Sequence, residues 1–158
     1  MNRVPARQVT VFLLVSLLLS FSAVSAPAQQ AGPKADIIIY VIEASNGGGG
    51  VDPQIQHLVK EFKGAFRYSS YQLVKRIPRR LEAGEKEIVP LPGGRQMQLQ
   101  MQGYEENRIK LRVKILEKKE KGSRDILNTE FRIIKGGTIM IGGYDYRDGK
   151  LVMAISAK

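Results

Sequence analysis

The chain has 158 residues, with 25 Lys and Arg against 15 Asp and Glu, for a formal net charge of +10. It contains no cysteine, one histidine and no tryptophan. This excludes disulfides, cysteine nucleophiles and cysteine-ligated metal sites, and leaves a domain that must hold together by its hydrophobic core. The basic excess favours anionic partners such as lipopolysaccharide, phospholipid headgroups or acidic polymers, or serves solubility alone.

The first 28 residues read as a secretion signal. Arg3 and Arg7 sit in an acid-free leader, and VFLLVSLLLSF, residues 11–21, follows. That run is shorter than the roughly 20 apolar residues needed to span a bilayer. Ala26 and Ala28 then satisfy the small-residue rule for cleavage before Gln29. The expectation is an exported chain, periplasmic or secreted, with a linker over 29–36 and a single β-rich domain over 37–158. No second long apolar stretch follows, so no transmembrane span is expected in the mature chain.

Ile37 to Glu43, apolar and β-branched, reads as a buried strand. Gly47–Gly50 lies in a flexible loop. Asp52 and Pro53 open a helix as cap and first residue, and Ile55, Leu58, Val59 and Phe62 form its apolar stripe before Gly64 ends it. Strands are predicted after that. Tyr68 to Ile77 is the first, stopped by Pro78, and Glu87 to Leu91 is a short edge strand containing Pro90. Gln96 to Gln102 alternates, with Met97, Leu99 and Met101 on one face and glutamines on the other. Arg108 to Glu117 does the same, Ile109, Leu111, Val113 and Ile115 facing inward. Leu127 to Ile133, Thr138 to Ile141 and Leu151 to Ala157 complete the set, with Asp148-Gly149 as a hairpin signal. The fold class is α+β: mainly an antiparallel β-sandwich or open barrel of about eight strands with one N-terminal helix.

The sequence is poor in convergent catalytic groups. His57 falls off the apolar stripe of the helix, and no other His or Cys can complete a zinc site with it. The glycine run lacks the Gly-Lys-Ser/Thr that follows a phosphate-binding loop, and Asp52 brings negative charge where a phosphate would sit. Asp145 and Asp148 lack the spacing of a calcium loop. Cofactors: none are indicated, nor any catalytic or metal residues.

Two basic groups stand out as candidates for polyanion binding. Arg108, Lys110, Arg112 and Lys114 form a row on one strand face, and Lys75, Arg76, Arg79 and Arg80 cluster around Pro78. Few aromatic residues interleave with them, which argues against nucleic acid as the partner. Lysines and arginines on an outward face also block edge-to-edge aggregation.

The segments ASNGGGGVDP, FRYSSY, LPGG and GGTIMIGGYDYRDGKLVMAISA together resemble an uncharacterised family of small exported bacterial β-rich proteins, a likeness that implies no activity. IKGGTIMIGG, residues 134–143, is similar to a hairpin of the outer-membrane secretins and implies a place in envelope or secretion-system assembly. The leading expectation is a non-enzymatic module binding an envelope protein or an anionic envelope component. The alternatives are a carboxylate-dependent hydrolase, marked by two close buried carboxylates, and a carrier for a small apolar ligand, marked by a large cavity.

Overall fold

A computed structural model describes residues 32–62 and 64–158. The expected signal, 1–28, lies outside the described residues. Among the described residues, eight strands and one helix follow one another: β1 (Lys34–Ser45), α1 (Gln56–Phe62, entered through a 3-10 turn at Pro53–Ile55), β2 (Ser70–Glu82), β3 (Lys86–Leu91), β4 (Arg95–Glu105), β5 (Arg108–Lys118), β6 (Ser123–Ile134), β7 (Thr138–Tyr146) and β8 (Gly149–Ala157).

The strands form two antiparallel sheets, ordered β2-β1-β8-β7 and β3-β4-β5-β6. The fold is therefore an α+β sandwich, not an open barrel. The inward residues expected on β4 and β5 (Met97, Leu99 and Met101; Ile109, Leu111, Val113 and Ile115) pack against Ile37, Ile39 and Val41 of β1 and Leu151, Met153 and Ile155 of β8. The two inner strands of the first sheet, β1 and β8, are apolar on both faces. The sheet's other side presents Ile38, Tyr40 and Ile42 of β1 with Val152 and Ala154 of β8, and α1 covers them with Leu58, Val59 and Phe62. This double burial explains why β1 and β8 are near-continuous apolar runs while β4 and β5 alternate.

Asp52 accepts a hydrogen bond from the Gln54 backbone N–H at 2.9 Å, and Pro53 takes the first helical position. Tyr71 of β2 ties the helix exit to the sheet: its hydroxyl donates to the Phe66 carbonyl at 2.5 Å and accepts from the Tyr68 N–H at 3.3 Å.

Several boundaries differ from expectation. β1 begins at Lys34, within the segment read as linker, because Ala35 is buried opposite Leu81 while Lys34 and Asp36 point outward opposite Glu82 and Arg80. β2 starts two residues later than Tyr68 and runs through Pro78 to Glu82. It is an edge strand, so a residue without an N–H is tolerated wherever that donor would point away from β1. β7 continues past Ile141 by bulging at Gly143, whose φ is 104°. The glycine loop is pinned from below, with Gln72 Nε2 donating to the carbonyls of Gly49 and Gly50 at 3.1 and 3.2 Å.

Candidate binding face

β5 is an inner strand of the second sheet, flanked by β4 and β6. Its inward residues are buried, so period-two alternation sends Arg108, Lys110, Arg112 and Lys114 to the outer face, away from the first sheet. The neighbouring strands complete that face. Arg112 stands between Gln100 of β4 and Glu130 of β6, and Lys114 between Gln98 and Asn128. On β3, Lys86 pairs with Gln100. Lys86, Gln98, Gln100, Arg112, Lys114 and Asn128 line a shallow groove of about 210 Å³.

The cation row is partly neutralised from β6 and the end of β4. Arg112 Nη2 lies 2.7 Å from Glu130 Oε1, Lys114 Nζ 2.8 Å from Asp125, and Lys110 Nζ 3.6 and 3.9 Å from Glu130 and Glu105. Arg132 of β6 bonds Glu105 at 3.0 Å. Hydrogen bonds from Gln102 and Arg112 hold the Glu130 carboxyl below the usual carboxylate range, and the bond from Arg132 does the same for Glu105. Among the described residues, Lys86 and Arg108 have no carboxylate within ion-pair distance. Among the described residues, seven cations (Lys86, Arg108, Lys110, Arg112, Lys114, Lys118 and Arg132) thus share this face with three carboxylates, Glu105, Asp125 and Glu130.

The second basic group does not extend this row. β2 lies in the other sheet, and its four cations divide between two faces. Arg76 and Arg80 pair with Tyr40 and Asp36 on the helix-bearing side, where Arg76 sits 5.9 Å from the Tyr40 ring centre and Arg80 bonds Asp36 at 3.0 Å. Lys75 and Arg79 point the other way, flanking the buried Ile77 at the open border between the sheets. There Arg79 reaches Glu87 of β3 at 2.5 Å and ties the two sheets together.

Two features of the site were not read from the sequence. Lys86 and Asn128 join the face only through strand pairing, which no local signal reveals. The glutamine alternation of β4 was visible, but not its position beside the cation row. Arg95, at the start of β4, faces inward: it donates to Glu117 and to the Asp145 carbonyl, both at 3.0 Å, with its guanidinium 5.6 Å from the Tyr144 ring centre. It joins the two sheets at the end opposite Arg79.

His57 is exposed on α1, its ring edge-on to Tyr40 at 6.2 Å between centres. Among the described residues the buried polar side chains are Ser70 and Ser156, neither of them a carboxylate. No helix among them is long and apolar enough to cross a membrane. Compared with known protein families, with characterised proteins and with solved structures, the chain finds no match.

Proposed function

We propose that the protein is a non-enzymatic module of the bacterial envelope, exported and freed of its signal, that binds an anionic envelope component such as lipopolysaccharide or phospholipid headgroups through the outer face of the second sheet. The observation that carries this reading is the cation excess of the exposed outer face of a four-stranded sheet, on which, among the described residues, Lys86 and Arg108 lack carboxylate partners and amides flank Arg112 and Lys114. A phosphate-rich surface can replace Glu130 and Asp125 as acceptor, and the nearby amides can donate to phosphate or sugar oxygens.

Each cation near an anionic membrane contributes about 1 kcal/mol, less where an internal ion pair must first open. Binding to vesicles containing phosphatidylglycerol, and to lipopolysaccharide, is measured at low and physiological salt. The expected result is salt-sensitive binding that weakens at least about tenfold when Arg108, Lys110, Arg112 and Lys114 are all changed to Gln. Indistinguishable curves for the two proteins would overturn the reading. N-terminal sequencing of the exported form tests the localisation: Gln29 is the expected first residue, and a full-length cytoplasmic product contradicts it.

A further inference from the structure

Each sheet of the sandwich has two edges, and three of the four edge strands carry a feature that discourages pairing with another chain. On β2, Lys75 and Arg79 are inward-pointing cations, and Pro78 interrupts the donors. β3 has six residues and contains Pro90. β7 bulges at Gly143. β6 differs from all of these. Its one irregularity skips Ile126, near its start, and Leu127 to Ile134 then runs without proline or bulge. Its inward positions are Leu127, Thr129, Phe131 and Ile133. None is charged, and the first three are only half-buried beside the half-buried Ile139 and Tyr144 of β7.

We propose that β6 pairs with β6 of a second copy of this chain, antiparallel about a two-fold axis through Phe131, to give a continuous eight-stranded sheet. The charges of the strand choose both occupant and register. In antiparallel self-pairing about a two-fold, the residues on either side of the axis oppose one another. Centred on Phe131, Glu130 of each copy faces Arg132 of the other, twice over, with Thr129 against Ile133 and Asn128 against Ile134. Centring on Glu130 or on Arg132 puts like charges face to face, and centring on Thr129 leaves both without a charged partner. A register that paired inward with outward residues is ruled out by the pleat. The Phe131 register also buries two half-exposed phenyl rings against each other on the inner face. Glu130 and Arg132 also lie on the face of the polyanion reading, but the pairing is read out as mass with no polyanion present, so the two readings are tested separately.

Sedimentation velocity of the purified protein, over about 1 to 500 µM (the range spanned by millimolar to micromolar affinities), measures the dimer. Arg132 is half-exposed, so Arg132→Glu leaves the fold intact, checked by circular dichroism, and places Glu against Glu at both symmetric positions. The expected effect is a dissociation constant raised at least about fivefold. Because the chain has no cysteine, single cysteines report the register. Phe131→Cys lies on the axis and should crosslink to its own copy on mild oxidation. Asn128→Cys, three positions off the axis, should not. A monomer at all concentrations, a smaller effect of Arg132→Glu, or crosslinking of Asn128→Cys as fast as Phe131→Cys overturns the proposal.

Discussion

Gly149 lies against the backbone of Ala44: a Cβ on Gly149 would sit 2.4 Å from the Ala44 carbonyl oxygen. The glycine is thus required by close approach of β8 to β1, and the positive φ of this hairpin falls instead on Arg147, at 50°. Gly149→Ala should destabilise the domain by roughly 1–3 kcal/mol, the cost of pushing apart packed backbone. Urea unfolding of the two proteins measures it. A neutral result would mean that β8 can move off β1 freely.

Leu111 is fully buried and Arg112 half-exposed on the same strand. Leu111→Ala should cost about 2–5 kcal/mol through lost burial and the cavity left behind. Arg112→Ala loses an exposed ion pair with Glu130 and should cost less than about 1 kcal/mol. Equal costs in denaturant titrations would contradict the facing of β5.

Tyr71→Phe tests the anchor between helix exit and sheet. It removes the donor to the Phe66 carbonyl and the acceptor of the Tyr68 N–H while keeping the ring. The expected loss is about 1–2 kcal/mol, with faster amide exchange over residues 64–69. Protection unchanged in that segment would show that the hydroxyl is dispensable.

Acid should loosen the outer face. Bonds to Gln102 and Arg112 lower the Glu130 pKa, and a bond to Arg132 lowers that of Glu105. A carboxyl whose pKa is depressed by folding contributes stability above its unfolded pKa, and that stability is lost as pH falls through the folded value. The melting temperature should therefore fall as pH drops below about 4.5, and Glu130→Gln should make that fall shallower. A scan from pH 6 to 2 in low salt compares the two slopes, and identical slopes would remove Glu130 from the ionic network.

The sequence made the central strands legible because burial on one face imposes strict alternation: Met97, Leu99 and Met101, then Ile109, Leu111, Val113 and Ile115, declare their facing locally. Ends and edges were less legible. Pro78 reads as a stop in any strand, and only the position of β2 at a sheet edge makes it harmless. Asp148-Gly149 marked the right hairpin but one residue late, since the turn residues are Arg147 and Asp148. The two basic clusters looked alike in the sequence. Which of them shares a face with Gln98, Gln100 and Asn128 depends on strand order, a non-local property that composition and periodicity do not encode.

The pairing of β1 with β8, Ile37 opposite Ala157, sets the order in which the domain can form. The second sheet is a meander, β3 to β6, whose neighbours are joined by short turns, so it can assemble from contacts close in the chain. The first sheet cannot close until its last strand arrives, because β8 lies between β1 and β7 and supplies Leu151, Met153 and Ile155 to the interior. Loop closure over more than a hundred residues is slow. Until it happens, β1 exposes an apolar run on both faces, the most aggregation-prone segment of the described chain. Loss of β8 would thus leave the β1–β2 pair and β7 apart around an open core, and the yield of folded protein should depend more on how β1 is shielded in that interval than on the final stability of the sandwich.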